Sequence, residues 1–264
     1  MDLQLADKTA LVSGSTAGIG YAIAARLATE GASVIINGRA QERVDGAISQ
    51  IQSDGISGKL MGIAADLSTA DGVTQVVQRY PQVDILVNNL GIFEPKPFEQ
   101  IADDDWEMMF QVNVMSGVRL SRAYLPGMRD RNWGRIIFIS SESAVHIPEE
   151  MIHYGMTKTA QIAIARGIAE TTAGTGITVN SILGGPTMSE GVHEFVEKMA
   201  DSQDKQMETV KDEFFQTARP SSLLQRFIEP DEVANLVAYV ASPLSSATNG
   251  APLRVDGGVV RAAL

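Results

Sequence analysis

The sequence predicts an α/β fold, a doubly wound parallel sheet, and two observations lead to that prediction. Short segments that are apolar throughout alternate along the chain with longer segments of helical periodicity. Strands without polar alternation are buried on both faces, which is typical of a parallel sheet covered by helices. Right-handed crossovers then give a doubly wound sheet, and no repeat or linker divides the 264 residues, so we predict a single domain.

Seven strands and six helices account for most of the chain. The predicted strands are Thr9 to Ser13, Ser33 to Asn37, Leu60 to Ala64, Ile85 to Val87, Arg135 to Ser140, Ile177 to Ile182 and Leu253 to Val255. The predicted helices are Ile19 to Glu30, Gln41 to Ser53, Ala70 to Arg79, Asp104 to Met128, Tyr154 to Thr172 and Asp231 to Ala241. A helix therefore stands between each two consecutive strands, as parallel pairing requires.

The segment from Thr187 to Arg219 breaks this alternation. It is charged and rich in methionine, and Ser189 to Met199 has the pattern of an amphipathic helix. The segment follows the sixth strand at the carboxyl edge of the sheet, where α/β proteins bind their ligands. We therefore predict a mobile lid over a substrate site at about 187–219; a surface excursion without a catalytic role is the alternative.

Composition and charge exclude several classes of protein. Cysteine is absent, so disulfides and thiolate metal sites are excluded, and we predict no metal. The formal charge is −11, and an acidic surface argues against binding to nucleic acid. Residues 1–8 lack the pattern of a signal peptide, and no apolar run approaches the ~18 residues of a membrane helix. We therefore expect a cytoplasmic protein without a membrane partner.

A glycine-rich segment follows the first strand directly and leads into the first helix. Its residues are Gly14-Ser15-Thr16-Ala17-Gly18-Ile19-Gly20. Glycines at such a turn let backbone N–H groups approach a pyrophosphate, and the N-terminus of the helix then faces the anion. The spacing is not the commoner Gly-x-Gly-x-x-Gly, but the strand–turn–helix context favours a dinucleotide site over a simple tight turn.

Two further polar segments are predicted at the same edge of the sheet. Asp66-Leu67 follows the third strand, and Asn88-Asn89-Leu90-Gly91 follows the fourth. A carboxylate there can accept a hydrogen bond from an adenine amino group, and the asparagines can hold the loop and a ribose. Helix capping by Asp66 or Ser68 and a turn at Asn88-Asn89 are the alternatives.

Tyr154 and Lys158 lie four positions apart in a predicted helix, so their side chains share one face. A phenol titrates near ~10 in water, and a cation one turn away lowers that pKa. A tyrosine tuned in this way can pass a proton to or from an alcohol oxygen. The pair therefore indicates an acid/base site, with a solvated helix face as the alternative.

Taken together, these residues resemble the classical short-chain dehydrogenase/reductase family. The motifs that follow the family order are Gly14 to Gly20, Asn88 to Gly91, Asn113, Ser141, the Tyr154/Lys158 pair, Val179 to Ile182 and Val255 to Gly258. The resemblance covers nearly the whole chain. It implies one NAD(P)-binding Rossmann domain over residues 1–264, with the lid as an insertion.

The resemblance also implies a role for each matching residue. Tyr154 would be the general acid in reduction and the base in oxidation, and Lys158 would lower its pKa and bind the nicotinamide ribose. Ser141, 13 positions before the tyrosine, would hold the substrate oxygen, and this spacing favours it over Ser140 and Ser143. Asn113 would anchor a water of the proton relay, with an ordinary polar helix residue as the alternative. Gly185 and Thr187 would complete the cofactor site.

Three positions depart from the usual family pattern. Leu90 replaces an alanine beside the cofactor, and Gly184 replaces the proline of the loop that contacts the nicotinamide carboxamide. Loss of the fixed proline φ is expected to loosen that loop. Glu142 follows the catalytic serine, where smaller or apolar residues are frequent, and exposure to solvent would account for it. None of the three removes a catalytic group.

The end of the second strand bears on the choice of cofactor. Gly38 occupies the position where an NAD-specific site usually places a carboxylate for the ribose 2′-hydroxyl. Arg39 follows at once and can pair with a 2′-phosphate, which favours NADP(H). Ala17 stands where many NADP-preferring relatives carry a basic residue, so NAD(H) stays possible. A surface cation beside the helix is the alternative for Arg39.

We therefore predict an NAD(P)(H)-dependent oxidoreductase that interconverts a ketone or aldehyde and an alcohol. A non-catalytic dinucleotide-sensing protein is the alternative, and the complete set of four catalytic residues argues against it. A lyase resembling halohydrin dehalogenases would lose the nucleotide glycines and Lys158. The predicted partners are a small carbonyl or alcohol substrate and further copies of the chain, because Ile162 to Ala165 and Val259 to Leu264 are apolar and favour a homotetramer.

The polarity of the substrate pocket stays open at this point. Polar residues flank the predicted site at His146, His153, Glu149 and Glu150. Apolar residues that can line a pocket, or equally fill a core, are Met151, Met188 and Phe195.

Overall fold

The computed structural model describes residues 1–56 and 58–263, and within them seven strands form one sheet. The strands are β1 (Thr9–Val12), β2 (Ser33–Gly38), β3 (Leu60–Ala64), β4 (Ile85–Asn88), β5 (Gly134–Ser141), β6 (Ile177–Gly184) and β7 (Pro252–Val255). Their order is β3-β2-β1-β4-β5-β6-β7, and all neighbouring pairs are parallel. The predicted fold class is confirmed.

Nine α-helices of the described residues cover the sheet and its carboxyl edge. They are α1 (Gly18–Thr29), α2 (Gln41–Ser53), α3 (Ala70–Arg79), α4 (Asp103–Phe110), α5 (Ser116–Asp130), α6 (Ile152–Glu170), α7 (Glu190–Gln203), α8 (Met207–Thr217) and α9 (Pro230–Ala241). The helix predicted from Asp104 to Met128 is present, and it runs without a break through α4, a π-helical turn and α5. The π-helical turn, Gln111–Met115, lies between α4 and α5, and apolar periodicity does not distinguish such a turn from an α-helical one.

The sheet is buried on both faces because successive side chains of each strand point to opposite sides. Val12 and Ile36 pack with α1, α2 and α9 on one face. Leu11 and Ile35 pack with α3, α5 and α6 on the other. This double burial explains why the strands are mostly apolar, although β6 also buries Asn180 and Ser181 in its middle.

The segment predicted as a lid contains two helices: α7 confirms the amphipathic helix predicted at Ser189 to Met199, and α8 was not predicted. Ser189 caps α7 by accepting a hydrogen bond from the Val192 N–H, and Asp204 ends it in the left-handed conformation, at φ 51°. The two helices share a small apolar cluster of their own, which contains Val196, Val210 and Phe215. The cluster is separate from the two cores on the faces of the sheet.

The strand order places the carboxyl ends of β1, β4, β5 and β6, where polar residues follow, side by side. β1 and β4 are neighbours although they are not consecutive in the chain, and ligands of doubly wound sheets bind at such a switch point. β5 and β6 are each longer than predicted, and their register sets Ser141 opposite Gly184. Across residues 1–56 and 58–263, no helix combines the length and hydropathy that a membrane span requires.

Candidate active site

A cavity of about 540 Å³ opens at the carboxyl edge of the sheet. Its lining comes from the glycine loop, the ends of β4, β5 and β6, the start of α6, and both lid helices. The predicted site residues that it brings together are Gly14, Ala17, Gly18, Ile19, Gly20, Gly91, Ser141, Tyr154, Lys158, Gly185 and Thr187. The other predicted residues lie behind this lining or on the surface beyond it.

The glycine loop needs glycine for two different reasons. Gly14 and Gly18 have φ of 61° and 55°, in the region that side chains rarely adopt. At Gly20 the constraint is space, since a Cβ there would lie 2.3 Å from the Gly14 carbonyl oxygen. Ala17 is the N-cap of α1 and supplies no side-chain acceptor, so the first N–H groups of α1 are left for an anion.

Ser15 and two asparagines brace this loop from below. The buried Ser15 hydroxyl donates to the Val12 carbonyl at 2.7 Å and accepts from the Asn37 N–H at 3.0 Å, so it supports the loop and does not line the cavity. Asn37 Oδ1 accepts from the Gly14 N–H at 3.2 Å, and Asn89 Nδ2 donates to the Gly14 carbonyl at 3.1 Å. Sequence reasoning did not give Asn37 a role, because its partner Gly14 lies in the loop that follows another strand.

The remaining predicted cofactor residues on this side are set back from the cavity. Asn88 is buried and its Nδ2 donates to Ser121 at 3.2 Å. Asp66 accepts from both the N–H and the hydroxyl of Ser68, and the hydroxyl contact holds the pKa of the Asp66 carboxyl below its usual value. Asp66 thus forms a local turn before α3, whose N-cap is Thr69, so neither Asp66 nor Ser68 caps that helix, while Leu67 packs in the core beneath.

The end of β2 has no room for an acidic side chain at its last residue. A Cβ at Gly38 would lie 2.6 Å from Cγ2 of Thr16, so the loop itself fills this space. Arg39 is exposed at the surface, and its charge is one of the smaller contributions that lower the pKa of Asp66. A cation therefore stands beside the loop where an NAD-specific site usually places an anion.

Ser141 and Tyr154 meet on the cavity wall from different elements. Ser141 ends β5, and Tyr154 stands in the first turn of α6 with its ring edge towards Phe93, at 6.4 Å between centroids. The Ser141 hydroxyl donates to the Glu142 carboxylate and accepts from the Ser143 N–H at 3.1 Å. The Ser141 hydroxyl also lies close enough to the Tyr154 phenol to favour its ionised form.

Lys158 is expected to lower the pKa of Tyr154, but other effects determine that pKa in the structure. Burial raises the pKa of the Tyr154 phenol well above its ordinary value, and the charge of Glu142 raises it further. The nearby Ser141 hydroxyl and the charge of Arg219 oppose these two effects without cancelling them. The phenol is therefore protonated at neutral pH, which is the form that can donate a proton.

Lys158 is buried beneath the tyrosine. Its Nζ donates to the Ile139 carbonyl at 2.9 Å and lies 5.5 Å from the centroid of the Tyr154 ring. Burial lowers the pKa of Lys158 to about 8. A Cβ at Gly91 would lie 3.4 Å from this Nζ, so glycine keeps the space above the ammonium group open.

Asn113 stands in the π-helical turn, behind the cavity lining. Its amide pairs with both backbone groups of Ile92, at 2.8 and 2.9 Å, and donates to Thr157 at 3.0 Å. Its main-chain carbonyl accepts from Gln161 Nε2 at 2.7 Å. Asn113 therefore ties the segment after β4 to α6, and its role with a relay water stays a prediction.

A family model described as short chain dehydrogenase matches residues 8–200. The chain belongs to the short-chain dehydrogenase family. The resemblance predicted from the motifs is therefore confirmed, and the protein is an oxidoreductase.

Three relatives illustrate the range of short-chain dehydrogenases that the chain is similar to. An uncharacterized oxidoreductase of Bacillus subtilis, YvaG, is 49% identical over 261 residues, with 99% of each chain covered. L-sorbose reductase from Gluconobacter frateurii, solved with NADPH and L-sorbose, is 28% identical with a TM-score of 0.92 and covers 99% of this chain and 100% of its own. A 7α-hydroxysteroid dehydrogenase solved with NADH is 28% identical with a TM-score of 0.85, covering 99% and 97%.

One expectation about this short-chain dehydrogenase is wrong, because Glu142 does not face solvent. It is only 4% exposed, and its Oε1 accepts from Nε of the equally buried Arg219 at 3.0 Å. The two residues are 77 positions apart, so sequence reasoning did not join them. The signal that was available is a charged residue at the end of an apolar, fully buried strand.

The walls of the cavity are mostly apolar, and the lid contributes part of them. Aromatic and methionine side chains in the lining are Phe93, Met151, Phe195, Met199, Phe214 and Phe227. Met188 packs in the lid cluster instead. His146 and Glu149 are exposed, and the buried His153 packs edge-on against Trp106 at 5.9 Å. Of the four polar residues left open by the sequence, only Glu150 lines the cavity.

Proposed function

We propose that the protein is an NADP(H)-dependent carbonyl reductase, acting in reverse as an alcohol dehydrogenase, with Tyr154 as its general acid and base. The observation that carries this proposal is the meeting of Ser141, Tyr154 and Lys158 in one cavity with the glycine loop. Membership of an oxidoreductase family agrees with it. The substrate is a small ketone or aldehyde that fits a pocket with largely apolar walls.

The residues around the cavity fit a nicotinamide dinucleotide. The loop needs glycine for its backbone conformation at Gly14 and Gly18 and for space at Gly20, and the first N–H groups of α1 are left for a pyrophosphate that can accept from them. Gly91 keeps the space above Lys158 open. When bound, the nicotinamide supplies the hydride for reduction and accepts it in oxidation.

The chain's own residues then handle the proton and the substrate oxygen. The Ser141 hydroxyl holds the carbonyl oxygen, and the protonated Tyr154 phenol donates to it as negative charge develops there. Lys158, 5.5 Å from the ring, stabilises the phenolate that is left behind. The aromatic side chains of the lid exclude water, which strengthens each of these electrostatic effects.

The preference for NADP(H) rests on the end of β2. Thr16 fills the space beside Gly38, so the acceptor of an NAD-type site is absent there, and Arg39 adds a cation that suits a 2′-phosphate. Both cofactors occur among the solved neighbours, because the L-sorbose reductase was solved with NADPH and the hydroxysteroid dehydrogenase with NADH. The preference for NADP(H) is therefore proposed from the residues at the end of β2 and not from family membership.

The proposal extends to the lid and to the assembly. α7 and α8 share a cluster apart from the main cores, which suits a segment that opens and closes over the substrate.

A homotetramer is supported by the partly exposed Ile162 and Ile164 on α6 and by the exposed Met108 and Phe110 on α4. The tail contributes less than predicted, because Val259 and Val260 are buried within the chain and Leu264 lies outside the described residues.

An absorbance assay tests the proposal. Purified protein is mixed with NADPH or NADH and a panel of small ketones, oxoacyl thioesters, keto sugars and steroid ketones. We expect oxidation of NADPH at well above the rate with NADH, and the best carbonyl identifies the substrate class. Equal rates with the two cofactors would contradict the argument from Arg39. Binding of cofactor without turnover of any carbonyl would favour the sensing alternative.

A further inference from the structure

Glu142 and Arg219 form a buried ion pair within the cavity lining, beside the serine of the proposed mechanism. Both side chains are 5% exposed, and Nε of Arg219 donates to Oε1 of Glu142 at 3.0 Å. Removing two charges from water is unfavourable enough that apolar residues of similar size often stabilise a protein more. The position of the pair at a catalytic cavity therefore suggests a functional role.

The second oxygen of Glu142 is bound to Ser141. The Ser141 hydroxyl has one proton, and in the structure it donates that proton to Oε2 of Glu142. The proposed reaction needs the same proton for the substrate oxygen. The carboxylate and the substrate therefore compete for Ser141, and the strength of the carboxylate as an acceptor decides the outcome.

Arg219 belongs to the lid rather than to the sheet. It follows α8 by two residues, its Nη1 donates to the Ala218 carbonyl at 2.8 Å, and its guanidinium lies 5.7 Å from the centroid of the Phe214 ring. Phe214 stacks on Phe227 at 5.0 Å, within the apolar cluster of the lid. The position of the cation beside Glu142 thus depends on the position of the lid.

We propose that Glu142 and Arg219 are positioning residues through which the lid controls Ser141. With the lid packed down, Arg219 neutralises Glu142, and the Ser141 hydroxyl can turn from the carboxylate to the substrate oxygen. With Arg219 withdrawn, the unpaired Glu142 carboxylate is a stronger acceptor, and the Ser141 hydroxyl keeps donating its hydrogen bond to it instead of to the substrate. This proposal rests on the proposed carbonyl reductase activity.

The same pair acts on Tyr154 with opposite signs. The charged groups that face the phenol are Glu142 after β5, Arg219 of the lid and Lys158 of α6, with Glu150 3.7 Å from Nη1 of Arg219. Glu142 raises the pKa of Tyr154 and Arg219 lowers it. Removal of each partner alone is therefore expected to move the pH dependence in opposite directions, which a purely structural role would not do.

The experiment compares Glu142→Gln, Arg219→Met and the double variant in steady-state oxidation of the best alcohol from pH 6 to 10. We expect Arg219→Met to lower kcat about 10- to 100-fold with a smaller effect on KM, because Ser141 is misdirected at the reacting oxygen. The pH at which activity rises to half of its maximum, called the pH limb below, should be higher in Arg219→Met than in the wild type. In Glu142→Gln it should be lower. The double variant should recover part of the kcat lost in Arg219→Met.

A matched control is available on the same lid. Glu213→Gln breaks the exposed pair between Lys205 and Glu213 on α8 without touching the cavity, and it should leave kcat and the pH limb unchanged. The double variant contains no unpaired buried charge, so it and Glu142→Gln keep the test decisive if Arg219→Met does not fold. Measured melting temperatures show whether a variant fails to fold.

Two outcomes would overturn the proposal, and they are distinct from failure of the proposed function. If the wild type reduces a carbonyl but both single variants shift the limb in the same direction, the pair does not act as described. The same holds if the double variant is no better than Arg219→Met. If the wild type turns over no carbonyl in the panel, the reductase activity itself is refuted, and the role of the pair falls with it.

Discussion

At the scale of single residues, burial rather than mutual attraction determines the protonation of the central pair. Burial raises the pKa of Tyr154 and lowers that of Lys158 to about 8. Both effects favour the neutral side chain, because each group has been removed from water. The phenol is thus ready to donate a proton in reduction, while its use as a base in oxidation is favoured by alkaline pH.

Replacing Lys158 with methionine should stabilise the protein at neutral pH while impairing turnover. The pKa of Lys158 is about 8 in the folded chain and 10.5 in its ordinary state, so the unfolded chain binds more protons between these values. The free energy of unfolding of the wild type therefore rises with pH across pH 8 to 10.5. In Lys158→Met that rise should be smaller, and Tm at pH 7 should be higher by about 3 to 6 °C.

Thermal melting between pH 7 and 10.5 measures this effect. Lys198→Met provides the control, because Lys198 is an exposed lysine on α7. The control should follow the pH dependence of the wild type. A lower Tm for Lys158→Met at pH 7 would show that the hydrogen bond to Ile139 outweighs the buried charge.

At the scale of elements, the glycine loop and the start of α1 form a rigid unit, whereas α7 and α8 form a separate one. The loop is held by Asn37 and Asn89, whose amides bind backbone groups of Gly14. The lid helices instead pack mainly on each other, with Phe215 and Val196 in their shared cluster. This division suits a cofactor site that is fixed and a substrate site that can open.

Substituting alanine for Gly20 should weaken dinucleotide binding. The new Cβ would lie 2.3 Å from the Gly14 carbonyl oxygen and 2.4 Å from Asn89 Nδ2, so the loop would have to move. Overpacking of this kind costs about 1–3 kcal/mol, and we expect Kd for NADPH to rise about 10-fold or more. Fluorescence titration with NADPH measures the change.

Gly46→Ala is the matched control for the glycine loop. Gly46 is in α2, and a Cβ there meets nothing within 4 Å. Alanine is the better helix former by about 1 kcal/mol, so this variant should be slightly more stable and bind NADPH as the wild type does. Unchanged binding in Gly20→Ala would show that the loop adapts without loss of its anion site.

At the scale of the whole molecule, the sequence predicts those features that arise from local pattern. Runs of apolar residues gave the seven strands, and ordered motifs placed Ser141 and Tyr154 in one site. The π-helical turn around Asn113 escaped prediction because its hydrogen bonds join it to Ile92, on another segment. The pairing of Glu142 with Arg219 escaped for the same reason, since only the tertiary fold brings them together.

The central claim is that Tyr154 supplies the proton while the cofactor site is independent of it. Tyr154→Phe removes only the hydroxyl, and Phe93 still packs against the remaining ring. The decisive measurement is NADPH oxidation by this variant with the best carbonyl, beside its Kd for NADPH. The account predicts a loss of at least about 100-fold in kcat with Kd nearly unchanged. Turnover close to that of the wild type would contradict it.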